Sequence, residues 1–158
     1  NILTPVPVGD SVFTSTYQNN SWLFNITQAD GRWETAERWS NRAQGYMSTP
    51  VVIDGHAYLH LRNQRFVCLD LKTGEEKWTT KPFGKYWSLV ANGNKILALD
   101  ETGILRLIEA NPKEYTLLDE RKASEESAWA HLAVCDSEVF IRSLRHLVVM
   151  EWKDPAAK

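Results

Sequence analysis

Asp70-Leu-Lys-Thr-Gly-Glu-Glu-Lys-Trp78 is the stretch whose reading decides the fold. It follows an apolar run, Phe66-Val-Cys-Leu69, and leads into Thr79-Thr80. An apolar run, a turn and a second run make a hairpin signal. Asp70 can accept hydrogen bonds from the turn amides, and Gly74 can take the positive φ that closes a longer hairpin. Trp78 sets a large ring four residues beyond that glycine.

One hairpin is only a turn, but the pattern around this one repeats. Trp39 stands 39 residues before Trp78, and the same step onward reaches Leu117 in the apolar run Tyr115-Thr-Leu-Leu118. Pro50 follows Trp39 by 11 residues, as Leu89 follows Trp78. Thr4-Pro-Val-Pro-Val-Gly-Asp-Ser-Val-Phe13 resembles Thr49-Pro-Val-Val-Ile-Asp-Gly-His-Ala-Tyr58. Ser88–Leu97 and His131–Phe140 are further copies. A period near 40 built from short apolar runs predicts an all-β chain of propeller blades.

The blades divide at approximately 4–39, 49–83, 88–120 and 129–153, within one domain spanning 1–158. Each of the first three carries four short strands. The fourth carries three, ending in Leu147-Val-Val-Met-Glu-Trp152, so its outer strand is lacking. The first unit has about six extra residues, which lengthen the hairpin before Trp39. Many runs are apolar at consecutive positions, so both faces need cover, as stacked blades supply. Glu34–Arg38 and Lys122–Ala128 tolerate helix but read as loops, and the mixed run Asp119-Glu-Arg-Lys122 reads as a solvated connector.

Composition bounds the function. The chain of 158 residues suits one domain with a real core. Its net charge of −2, from 18 basic and 20 acidic residues, gives no footprint for nucleic acid. No apolar stretch approaches a transmembrane span. Cys68 and Cys135 lie in or beside strand runs and read as small buried hydrophobes, though spacing alone leaves a disulfide open.

Pro50-Val51-Val52, Gly55 to Tyr58, and Leu69-Asp70 with Thr73, Gly74 and Trp78 resemble the pyrroloquinoline-quinone-like (PQQ-like) β-propeller repeat. Trp39, Asp70, Thr73, Gly74 and Trp78 are then structural repeat residues. Relatives in that family include quinoprotein alcohol dehydrogenases, polyvinyl-alcohol dehydrogenases and the propeller lipoprotein of the outer-membrane β-barrel assembly machinery. There is no Trp-Asp at the blade ends, as WD40 repeats want, and no Gly-Gly pair, as kelch wants. Family propellers often close by borrowing an outer strand from the N-terminus. On that resemblance the chain looks like a C-terminal fragment of about four blades from a ring of seven or eight. Implied partners are the remaining blades of the parent, a second copy completing an eight-bladed ring, or another protein. Export to the periplasm is implied in the same way.

The resemblance raises a quinone held with calcium as the parent's cofactor. This chain has no adjacent cysteine pair, such as often covers the quinone, and no recognisable Glu/Asn/Asp set leading the inner strands. No catalytic or metal-binding residue is assigned, and no cofactor is expected in this part. His56 and His60 lack a third ligand. A binding and scaffolding module is favoured over part of a quinone-dependent alcohol or polyvinyl-alcohol dehydrogenase. The residues leading into the inner strands, Tyr46, Ser48, Tyr86, Trp87, Trp129 and His131, rim one mouth of the channel. They read either as a stacking surface for a ligand or peptide or, the reading preferred, as aromatic packing between blades. A carbohydrate-binding propeller rests on that rim alone.

Overall fold

The computed structural model describes residues 3–151, which form four antiparallel sheets; no helix occurs among these residues. The first sheet holds β1 (Val6–Val8), β2 (Ser11–Ser15), β3 (Ser21–Ala29) and β4 (Arg32–Asn41). The second holds β5 (Val51–Ile53), β6 (His56–His60), β7 (Phe66–Asp70) and β8 (Glu76–Thr79). The third holds β9 (Trp87–Asn92), β10 (Lys95–Asp100), β11 (Ile104–Glu109) and β12 (Thr116–Lys122). The fourth holds β13 (Ala133–Cys135), β14 (Glu138–Arg142) and β15 (Leu147–Glu151). Every sheet is a meander in sequence order. This is a partial β-propeller. The expected strand reaching Trp152 runs past the described residues at its last position, and the segment Asp154–Lys158 lies wholly outside them.

Three apolar clusters hold the sheets face to face. Phe13 and Leu23 of the first sheet meet Ala57, Leu59, Val67 and Leu69 of the second. Tyr58, Phe66 and Cys68 meet Leu89, Ile96, Ala98 and Ile108 across the second junction. Leu97, Leu99 and Leu105 meet Val139 and Ile141 across the third. Middle-sheet strands therefore bury both faces: every residue of β7 but Asp70 is buried. End-sheet strands cover one face, and β15 alternates exposed and half-buried residues. Consecutive apolar residues are thus covered on both faces in the middle blades, whereas in the last the apolar run Leu147–Met150 leaves Leu147 and Val149 exposed.

At the bottom of the second sheet the Asp70–Gly74 turn is closed by its own side chains. Asp70 Oδ1 accepts from the Lys72 and Thr73 amides at 2.8 and 3.2 Å, and Thr73 Oγ1 accepts from the Glu75 amide at 3.2 Å. Gly74 has φ +78° and packs under the Trp39 ring, where an added Cβ would lie 2.7 Å from Cδ2. Trp39 Nε1 donates to the Leu71 carbonyl at 2.8 Å, and Trp78 Nε1 donates to the Asn111 carbonyl at 2.8 Å. Each outer-strand tryptophan thus ties its sheet to the next sheet's lower turn.

Register corrects four readings. A bulge skips Arg38, Lys77 and Leu118 in the three outer strands, so Leu23 pairs with Trp39, Cys68 with Trp78 and Leu107 with Asp119. Asp119, not Leu117, therefore stands at the third tryptophan position, because the third turn is two residues longer than a step of 39 allows. Glu34–Arg38 is strand, not loop: β3 and β4 pair out to Ala29 and Arg32 in a ribbon that outruns β2. Asp119–Lys122 belongs to β12 rather than to a connector. Both cysteines are free thiols, and while Cys68 is buried, Cys135 is exposed at the end of an inner strand that no fifth sheet among the described residues covers.

Candidate functional site

The strands alternate direction, so the segments leading into β5, β9 and β13 gather at the top with the short loops 61–65 and 101–103. Deep in this end the second junction is built on Trp87, which is 0% exposed. Its ring stacks on His60 at 5.4 Å and 15°, and touches Phe83 at 4.8 Å and Phe66 at 5.0 Å. Arg106 lies 5.2 Å over it and 5.1 Å over Phe83, a cation–π arrangement. The guanidinium is paired as well: Arg106 Nη1 reaches Asp100 Oδ2 at 2.6 Å and Nε reaches Glu120 Oε2 at 2.8 Å.

This environment sets the charge states. Burial pushes the Asp100 carboxyl up, but hydrogen bonds from Thr102, Arg106 and the Ile104 amide, with the Arg106 charge, hold it below its ordinary value. Burial pushes the His60 ring down to about 4, against the opposing effect of its bond to the Gly84 carbonyl. His60 is thus neutral at pH 7, with Nε2 3.1 Å from that carbonyl. Burial also drives the Cys68 thiol up to about 12.

The six rim residues separate into two groups and a buried remainder. Tyr46 sits at the first junction, 5.6 Å from Tyr17 and edge-on to His60 at 6.4 Å; Arg62 lies 4.9 Å over Tyr17. Tyr86 and Trp129 stack at 5.4 Å and 17°, bridging the third sheet to the segment before β13. Tyr86 is buried, whereas Trp129 is 46% exposed and keeps an accessible surface. His131, two residues on, is exposed, with Nδ1 2.9 Å from the Leu132 carbonyl. Ser48 and Trp87 are buried and their polar atoms have no partner among the described residues.

Several residues at this end escaped the sequence reading. Glu101 Oε2 accepts from the Lys85 and Tyr86 amides at 2.6 and 3.1 Å, which fixes Tyr86 under Trp129. Glu126 Oε2 accepts from Ser143 Oγ and the Arg145 amide, at 3.1 and 3.0 Å. Arg106 and Asp100 were hidden in apolar runs. Their signal was a charge of each sign where only apolar residues belonged. Asp100, Glu101, Glu120 and Glu126 are thus taken up by guanidinium, amide and hydroxyl donors, and no group of three His, Cys, Asp or Glu able to hold a metal occurs among the described residues. None of the described helices could cross a membrane, since there are none.

A family model described as outer membrane protein assembly factor BamB matches residues 2–80. Among solved structures, BamB from Moraxella catarrhalis is similar at TM-score 0.71 and 16% identity, over 93% of this chain and 41% of that one. The computationally designed Ika4 protein aligns at TM-score 0.67 and 10% identity, over 94% of this chain and 89% of that one. A europium-containing methanol dehydrogenase aligns at TM-score 0.56 and 15% identity, over 80% of this chain and 24% of that one. The chain therefore spans less than half of the natural proteins it resembles here. No curated protein matches its sequence.

Proposed function

This chain belongs to the family of the outer membrane protein assembly factor BamB, the PQQ-like propellers, and from that premise we propose that it is a protein-binding and scaffolding module of outer-membrane protein assembly, working after export to the periplasm. The observation that carries the reading is how the aromatic top end is used. Trp87 is wholly enclosed by His60, Phe66, Phe83 and Arg106. Trp129, backed by Tyr86, is the most exposed of the tyrosine and tryptophan rings of the rim. A rigid ring on a tied platform is the kind of anchor that protein interfaces favour.

The donor set does not suit a quinone held with calcium. A calcium ion takes six to eight oxygen ligands, carboxylates prominent among them. Here Asp100 is committed to Arg106 and three turn donors, Glu101 to two amides, and Glu126 to Ser143 and Arg145. The free faces of the end sheets, with Leu147 and Val149 exposed on the fourth, are in this reading covered by further blades of a parent chain or by a second copy.

A fluorescence titration with pyrroloquinoline quinone, with and without calcium, tests this on the longest natural chain that contains the sequence. The binding module predicts no saturable quenching. Saturable, calcium-dependent quenching would move the protein to the quinone-dependent alcohol dehydrogenases. In parallel, Trp129→Ala should weaken co-purification with the native partner, while the fold, read by circular dichroism, is unchanged.

A further inference from the structure

The first and second junctions differ beside the segment that joins their sheets. In the second, Phe83 stands one residue before Gly84, and its ring packs on Trp87 at 4.8 Å and on Tyr115 at 5.9 Å. In the first, Gln44 stands one residue before Gly45 and lines an open cleft of about 420 Å³ with Asn41, Arg42, Arg62, Asn63 and Glu76. Ligand sites are concavities of about 300 to 1,000 Å³. This one is walled by amides and charges, so it suits a small polar ligand.

The wall is held in place residue by residue. Asn41 Nδ2 donates to the Gly74 carbonyl at 2.6 Å, and its Oδ1 accepts from the Ala43 amide at 2.6 Å. Ser21 Oγ donates to the Ala43 carbonyl at 2.9 Å, and the Gly45 amide donates to Ser15 Oγ at 2.8 Å. The Tyr46 amide donates to the His60 carbonyl at 3.0 Å, and the Arg62 amide to the Gln44 carbonyl at 2.8 Å. The Arg62 guanidinium lies 4.9 Å over the Tyr17 ring, with Nη1 3.5 Å from Gln44 Oε1. Arg42 takes no part in this bonding.

Three formal charges therefore line one fixed cleft without neutralising each other. Arg42, Arg62 and Glu76 make no ion pair among the described residues. We propose that the cleft binds a short peptide in its zwitterionic form, its carboxylate taken by Arg42 and Arg62 and its ammonium by Glu76. Planar guanidinium forks match a carboxylate. Opposite charges that share a cleft without touching are the pattern that a ligand with separated charges completes. A plain anion would instead meet Glu76 as a repelling neighbour. The Gln44 and Asn63 amides line the same cleft and can serve the N–H and C=O of the peptide group. This goes beyond the binding-module reading: the cleft is at the first junction, Trp129 is at the third, and the ligand is a small molecule.

The probe is diglycine, titrated into the whole chain and followed by the side-chain amide signals of Gln44 and Asn63 in heteronuclear NMR. Saturable shifts are expected. N-acetyldiglycine lacks the ammonium and diglycinamide lacks the carboxylate, so each should bind about tenfold more weakly or worse. Glu76→Gln, and separately Arg42→Gln combined with Arg62→Gln, should each weaken diglycine by about the same factor while the rest of the amide spectrum stays in place. Should a variant's spectrum collapse, the capped probes decide on the unaltered chain. No saturable shift with diglycine would overturn the proposal. So would N-acetyldiglycine or inorganic phosphate binding as tightly as diglycine, or Glu76→Gln without effect, since each would leave a plain anion site.

Discussion

The first and third junctions solve the same packing problem with different chemistry. At the first, the lower end is locked by one indole: Trp39 covers Gly74 and donates to Leu71. At the third, the lower end is an apolar groove, and the tie is at the top. There Ser88 Oγ of the third sheet accepts from the Leu132 amide at 3.2 Å, and the connector to the fourth sheet starts against Gly103 (φ +86°), whose carbonyl accepts from the Ala123 and Ser124 amides at 2.8 and 3.2 Å and extends the β11–β12 ladder. A side-chain lock can be read from composition, whereas a lock of backbone on backbone leaves only a glycine in the sequence.

The largest expected effect breaks the backbone lock. An alanine Cβ at position 103 would collide with the Ser124 carbonyl oxygen and lie 3.0 Å from its carbon. Backbone cannot give way as a side-chain tip can, and the left-handed φ adds its own cost, so Gly103→Ala should destabilise by about 4 kcal/mol or more. Chemical denaturation reads this, and a loss under about 1 kcal/mol would mean that the top of the third junction is not fixed as described. Next come the indole locks. Trp39→Ala and Trp78→Ala each remove a half-buried ring and leave a carbonyl without its donor, for about 3 kcal/mol each. Trp39→Phe should cost less, since it keeps the cover over Gly74 and loses the hydrogen bond. Equal losses for Phe and Ala would make the hydrogen bond, not the ring, the lock.

This contrast also explains what the sequence disclosed. The Asp70–Gly74 turn was legible because each part is a side chain or a glycine with one strong local use. Blade architecture was legible because consecutive apolar residues demand cover on both faces. The third tryptophan position was misread at Leu117 since a fixed step cannot see the two extra residues in the turn before β12, and only pairing places Asp119 there. Glu34–Arg38 was read as a loop because an exposed two-stranded ribbon carries no hydrophobic pattern: all five residues are exposed. At the rim, residue type alone did not separate Trp87, which is core, from Trp129, which is accessible. The difference arises from His60, Phe66 and Arg106, which reach Trp87 from elsewhere in the chain.

The second junction is the one of the three that acid should loosen first. His60 is buried there with its pKa lowered to about 4 by desolvation. Above the ordinary histidine range neither folded nor unfolded chain holds the proton, and the site adds no pH dependence. As pH falls through about 6.5 the unfolded chain takes up a proton that the folded chain refuses, so stability falls until about pH 4. The loss is about 3 kcal/mol when complete. Glu101 and Asp100 face the ring and moderate the effect. His60→Phe should flatten the slope between pH 6.5 and 4 while leaving the steeper loss below it, where Asp100 and Asp70 become protonated. An unchanged slope in that variant would place the acid-sensitive group elsewhere.

The smallest energetic effect gives the finest comparison between buried and open sheets. Cys135→Ser, on an exposed strand end, should change stability by no more than about 0.5 kcal/mol. Its thiol should nonetheless react with an aromatic disulfide reagent as fast as a free peptide thiol. Cys68, buried in the second junction and with its thiol pushed up to about 12, should react only when the sheets part. In the Cys135→Ser variant the labelling rate of Cys68 therefore reports the opening of the second junction alone. If that rate slows in step with global stability as denaturant is removed, the sheets open as one unit. A rate that levels off instead would mean that the second and third sheets part locally, and the indole tie of Trp78 to Asn111 would then be the contact to strengthen.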